Sequence, residues 1–160
     1  MREELLKIIE KNSRIDLKEL AVILGVREVD VVNELAALEA EGVICGYHTL
    51  INWEKTSNEK VSALIEVRVT PQRGQGFDNV AERIYRYPEV QSVYLMSGGY
   101  DLMVILEGKT LREVSNFVSD KLSTLDTVLS TATHFILKKY KDHGTVLSQT
   151  KEDEREMITP

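Results

Sequence analysis

Ser97-Gly98-Gly99-Tyr100-Asp101 gathers the residues of this chain that are best suited to holding a small charged ligand. Two adjacent glycines leave backbone N–H groups open to the charged end of a ligand, because no Cβ stands in the way. The carboxylate beside them can accept a charge-assisted hydrogen bond from an ammonium. Each residue has an equally economical structural use. Gly-Gly favours a tight hairpin turn, and Asp101 can cap it. On the residues alone both readings stay open. Metal chemistry has less to work with: Cys45 is the only cysteine, and His48, His134 and His143 show no ligand spacing. No metal or other cofactor is expected, nor any disulfide within the chain. A formal net charge of −6 argues against a general polyanion binder.

The turn must be carried by its flanks. Val93–Met96 and Leu102–Leu106 read as two strands, apolar on both faces because side chains alternate along a strand. Helices of the same chain can cover one face; a second copy is the simplest cover for the other. Upstream, Ala63, Ile65, Val67 and Val69 alternate with Ser62, Leu64, Glu66 and Arg68 in a strand that ends at Pro71. Residues 72–76 form a loop, and Phe77, Val80, Ala81 and Ile84 mark a helix that stops before Pro88. Downstream, Thr110 and Glu113 form a capping box opening a helix with Leu111, Val114, Val118 and Leu122. A last strand is predicted from Val128 to Tyr140. Thr131 and Thr133 share one face of it, and His134 lies on the other as a packed histidine. The order βαββαβ defines an antiparallel sheet with two helices on one face, the ferredoxin-like build. Residues 143–160 read as a polar tail, disordered at its charged end.

The N-terminal third follows a helical rhythm. Leu5, Ile8 and Ile9 predict a helix over 2–11, and Asp16 with Glu19 forms a capping box opening a second. Gly25-Val26 is a turn. A third helix carries Val31 or Val32, Leu35 and Leu38 and stops at Gly42. Val43–Tyr47 is predicted as a short strand. Three short helices, the last two joined by a glycine turn, form a helix-turn-helix pattern that serves equally as a DNA-binding or a generic interaction module. The polar stretch 53–60 reads as a linker, with Trp53 as a packing residue at its start. The fold class is therefore α+β: a helix-turn-helix domain over 1–52, the linker, and a ferredoxin-like domain over 61–142.

Four segments in order resemble the Lrp/AsnC (feast/famine) regulators. Leu38–Tyr47 resembles L-E-x-E-G-x-I-x-G-Y, and Tyr87–Val90 resembles x-P-E-V. Ser97–Asp101 resembles T-G-x-Y-D, and Val128–Thr133 resembles V-x-x-x-x-T. The resemblance covers residues 1–142. It implies a transcriptional regulator with a C-terminal domain of the RAM type, dimerising through its sheet and assembling into octamers or similar rings. It implies a small-molecule effector, usually an amino acid, held at Ser97, Gly98, Gly99, Tyr100 and Asp101 with Thr131 and Thr133. It also implies duplex DNA as a partner of the third helix, through Arg27, Glu28, Asp30, Asn33 and Glu34.

That helix departs from the family's pattern. Glu34 stands at an arginine position, alanines at others, and Arg27 replaces a capping serine without offering an acceptor. Arg27–Glu41 holds one basic residue and five acidic ones, and residues 1–52 hold six Lys and Arg against ten Asp and Glu. Carboxylates facing phosphates oppose the counterion release that drives DNA binding, although Glu and Asp can accept from cytosine N4. The readings are thus a DNA-binding, effector-responsive regulator, or a metabolite-sensing assembly protein that keeps the helix-turn-helix as a scaffold. An enzyme resembling the sirohaem decarboxylases ranks last, because that branch needs basic and histidine residues around a large pocket. A charged N-terminal start, no apolar run of ~20 residues and one cysteine lead to the expectation of a cytoplasmic protein without a membrane partner.

Overall fold

The computed structural model describes residues 1–71, 73–74 and 76–148. Two compact units emerge, Met1–Leu50 and the chain from Ile51 onward. The loop positions 72 and 75 and the charged tail end lie outside the described residues.

The first unit packs α1 (Arg2–Lys11), α2 (Leu17–Leu24) and α3 (Glu28–Ala40) around Leu5, Leu20, Val31 and Leu38, all fully buried. Burial of such side chains contributes about 2 kcal/mol each. The Asp16 carboxylate caps α2 by accepting from the N–H groups of Lys18 (2.9 Å) and Glu19 (3.3 Å). Gly25 ends α2 at φ +65° and Gly42 follows α3 at φ +71°, left-handed positions that only glycine occupies without strain. The expected strand over 43–47 does not form. No strand is present among the described residues of this unit to pair with it. Instead residues 43–48 line a groove of about 540 Å³ with α1, and the Tyr47 hydroxyl donates to Glu39 (2.8 Å).

The second unit is a four-stranded antiparallel sheet of β1 (Val61–Val69), β2 (Val90–Leu95), β3 (Leu102–Gly108) and β4 (Val128–Ile136). Its order is β2-β3-β1-β4, the ferredoxin-like arrangement. Ala63, Ile65, Val67, Val104 and Leu106 bury one face beneath α4 (Asp78–Tyr85) and α5 (Leu111–Phe117). Thr110 caps α5 by accepting from Glu113 N–H (3.1 Å), while the Glu113 carboxylate accepts from Lys109 N–H (2.6 Å). A π-helical turn, Val118–Leu122, continues α5 and keeps Val118 and Leu122 in the core. Among the described residues of this unit no helix covers the opposite face. Leu64, Met103 and Ile105 lie half-buried there, with Tyr94 and Ile136 exposed.

Four expectations need correction. The connection between β2 and β3 is the six-residue segment Met96–Asp101, closed by Met96 N–H on Asp101 C=O (2.8 Å), and is no two-residue turn. Gly98 alone there takes a positive φ, +150°. The last long strand ends at Ile136, four residues early, and the start of the expected polar tail is structured. β5 (Lys141–Asp142) pairs with β6 (Thr145–Val146) across His143 and Gly144, both at positive φ. His134 faces away from the two threonines, as expected, but is exposed and pairs with Glu66 (3.4 Å).

A polar clasp holds the α4–β2 junction to the π turn. The Lys121 ammonium donates to Glu89 (2.9 Å) and lies near the Tyr87 and Phe117 rings, which meet edge to face at 5.3 Å. Lys121 holds the Glu89 carboxyl below its ordinary pKa. The folded state therefore gains stability above the unfolded carboxyl's pKa and loses it as pH falls through the lower folded value. Glu89→Gln should lower the neutral plateau of a plot of melting temperature against pH and flatten its acid limb.

Candidate functional site

In the first unit the candidate surface is α3. Arg27 precedes it without capping it. Its guanidinium instead grips Asp30 in a two-point pair, Nε to Oδ2 at 2.9 Å and Nη2 to Oδ1 at 2.7 Å. Arg27 thereby holds the Asp30 carboxyl below its ordinary pKa. Glu34 is turned toward α1, where Arg2 Nε bonds it at 2.9 Å, and the same guanidinium reaches Glu41 at 2.6 Å. Glu39 accepts from Tyr47 and holds that phenol above its ordinary pKa. Four of the five carboxylates counted between Arg27 and Glu41 are thus occupied within the unit, and Glu28 is exposed. The expectation that Glu34 meets DNA phosphates rested on its place in the helix alone. The structure puts it in a three-residue clamp between α1 and α3.

One stripe of the solvent side of α3 is uncharged. Val29, Val32, Asn33 and Ala36 are exposed at spacings i, i+3, i+4 and i+7, which is one stripe of a helix. Unpaired cations lie elsewhere: Lys7, Lys11, Arg14 and Lys18 make no ion pair among the described residues. Lys18 lies in the first turn of α2 and Arg14 just before that helix.

In the second unit the candidate residues gather at one end of the sheet. The Asp101 carboxylate accepts from Val69 N–H (2.9 Å), and Asp101 N–H donates to Val67 C=O (3.1 Å). Beyond Val67–Leu102 the β1–β3 ladder has run out, so Val69 N–H has no strand partner on that side. The side chain of Asp101 supplies the missing acceptor. A structural task is therefore established for Asp101, and Oδ1 remains for a further donor. On the other side of β1, Thr131 pairs with Val67 and Thr133 with Ile65. Two ladder spacings, about 10 Å, separate Leu102 from Thr131. Both threonines are half-buried on the helix-covered face. Ser97, Gly98 and Gly99 are exposed and Tyr100 is half-buried. A Cβ placed on either glycine would meet nothing within 4 Å, so their immediate surroundings are open in the single chain.

A groove of about 270 Å³ lies elsewhere in this unit, where Lys60 stacks on Trp53 (4.2 Å) and bonds Glu107 (3.3 Å). Sequence reasoning treated Trp53 as packing and did not single out Lys60 or Glu107; the 47-residue gap between the paired charges hides that association. Among the described residues no cluster of His, Cys, Asp and Glu could hold a metal ion. No helix among them is long and apolar enough to cross a membrane.

Residues 62–146 match the Lrp/AsnC ligand binding domain. The chain is 52% identical over 158 residues to YugG, an uncharacterised HTH-type transcriptional regulator of Bacillus subtilis (strain 168), covering 98% of this chain and 95% of that one. It is 29% identical over 137 residues to the HTH-type transcriptional regulator LrpA of Pyrococcus abyssi (strain GE5 / Orsay), covering 86% and 94%. The chain therefore belongs to the Lrp/AsnC family of transcriptional regulators. A solved regulator of Neisseria meningitidis in complex with L-Met shares the fold, with a TM-score of 0.70, 22% identity, and coverage of 93% and 94%. The relatives are named as regulators and not as enzymes, which leaves the decarboxylase reading without support.

The clamp makes a direct prediction. Glu34→Arg sets two guanidinium groups against each other and takes one of its two carboxylate partners from Arg2, so it should lower the melting temperature of the first unit. Glu28→Arg, on the exposed face, should leave it unchanged. Thermal unfolding followed by circular dichroism distinguishes the two.

Proposed function

We propose that this protein controls transcription by binding duplex DNA through α2 and α3 and an amino acid through the end of its sheet. The observation that carries the DNA reading is the internal pairing of Asp30 with Arg27 and of Glu34 and Glu41 with Arg2, which reduces the repulsion that composition alone implies. In helix-turn-helix docking the first helix of the pair crosses the backbone and the second enters the major groove. Lys18 and Arg14 then serve the phosphates, while Glu28 and Asn33 lie on the exposed part of α3 and Arg27 and Asp30 form its rim. Fluorescence anisotropy on duplex DNA at several salt concentrations tests this. Lys18→Ala should weaken binding and reduce the slope of log K against log salt by about one unit. A protein that binds no duplex at low salt would favour the scaffold reading, in which the helix-turn-helix contacts no DNA. The absence of Lys and Arg from the exposed α3 stripe is the observation behind that alternative.

For the effector, Ser97, Gly98, Gly99 and Tyr100 would offer backbone donors to a carboxylate, Asp101 Oδ1 would accept from the ammonium, and Thr131 and Thr133 would line the site. The Neisseria regulator bound to L-Met supports an amino acid as the ligand class. The openness around Gly98 and Gly99 supports a site completed by a second dimer. The uncovered sheet face, with Leu64, Met103 and Ile105, is the proposed dimer surface, and four dimers in a ring the proposed assembly, acting in the cytoplasm. Ile105→Lys should convert the protein to a smaller species in sedimentation velocity. In a thermal-shift screen, the right amino acid at one hundred times its Kd should stabilise by about 2.7 kcal/mol. Asp101→Asn should remove that shift while retaining an acceptor for Val69 N–H. Asp101→Ala should also destabilise the apo protein, by about 1–3 kcal/mol.

A further inference from the structure

An amphipathic helix should turn a polar back to solvent, and α3 does not. Val31 and Leu38 enter the core, while Val29 (51% exposed), Val32 (43%), Asn33 and Ala36 form a second, uncharged stripe outside. Exposed apolar side chains extend this surface back to Val22 and Ile23 at the end of α2. Lys18, one turn before Val22 on the same side of α2, supplies positive charge beside it.

We propose that this stripe reads A·T base pairs in the major groove, Val29 and Val32 by packing on thymine 5-methyl groups and Asn33 by pairing with an adenine edge. The inference rests on the DNA-binding reading above and deepens it. A helix of this length fits the major groove, where the thymine methyl is the one apolar group on any base edge. Asparagine bonds adenine N6 and N7 in a bidentate pair. The stripe itself carries no carboxylate: Glu34 and Glu41 are held by Arg2 and Asp30 by Arg27, while exposed Glu28 and Glu39 stand at its margin. It also carries no arginine or lysine to seek guanine. The unpaired Arg14 and Lys18 complement a flanking backbone.

The experiment starts from duplexes selected by the full-length protein from a random pool. Each selected thymine is then replaced by deoxyuridine, which removes the methyl group and preserves pairing and phosphate charge. Loss of about fourfold in affinity per contacted methyl is expected, with an unchanged salt slope. Val29→Ala and Val32→Ala should bind the thymine duplex more weakly and lose the difference between thymine and deoxyuridine at one position each. Both positions are exposed, and circular dichroism of each variant confirms folding. Equal binding of thymine and deoxyuridine duplexes overturns the proposal and leaves DNA binding intact. Variants that weaken both duplexes equally do the same. Failure to select any duplex overturns both readings together. If Val32→Asp changes the sedimentation of the free protein and leaves DNA affinity unaltered, the stripe is a protein interface and the proposal falls.

Discussion

One guanidinium governs what the first unit can present to a partner. Arg2, at the very start of α1, is bonded to Glu34 and Glu41 on either side of the α3 C-terminal half. The pairs are partly exposed, and exposed ion pairs contribute only about 0.2–1 kcal/mol. Their consequence is geometric: they decide which way two carboxylates point. With Glu34 turned toward α1, Glu41 tied to the same guanidinium and Asp30 folded onto Arg27, α3 shows solvent a stripe whose chemistry is apolar and amide. A helix counted as strongly acidic therefore presents one uncharged stripe, with Glu28 and Glu39 exposed beside it.

The second unit is organised by a different shortage. β1 outruns β3, and the bulge between Arg68 and Val69 shifts its register with β4 as well. The Asp101 carboxylate closes the resulting gap by accepting from Val69 N–H. That single bond ties the β2–β3 connection to the end of β1, and so places Ser97–Tyr100 next to the strand that separates them from Thr131. Stability and the proposed binding chemistry share a residue here. This is why replacement by asparagine, and not alanine, separates the two roles.

Features encoded within a few residues were legible in the sequence. Asp16 and Thr110 cap their helices because the donors they satisfy lie two or three residues on. Gly25 and Gly42 end theirs because αL geometry is local. The alternation of residues 62–69 gave the correct buried face of β1, since period two admits only one assignment. What was not legible was non-local. The ion-pair partner of Glu34 is 32 residues away, beyond any local pattern. Val43–Tyr47 has the composition of a strand but no edge to join. Asp101 as a ladder bond depends on where β3 happens to stop, which no local pattern records.

The central claim is that Glu34 belongs to the clamp with Arg2 and the exposed stripe of α3 to the partner. The charge-exchanged double variant Arg2→Glu/Glu34→Arg tests it most directly, with stability and duplex affinity measured on the same preparation. The account predicts partial recovery of the stability lost in Glu34→Arg, because the pair with residue 34 is re-formed with its polarity reversed while Glu41 loses its partner. It also predicts a duplex affinity and salt slope like those of the parent protein. No recovery of stability, together with tighter binding and a salt slope steeper by about one unit, would place residue 34 at the phosphates and contradict the account.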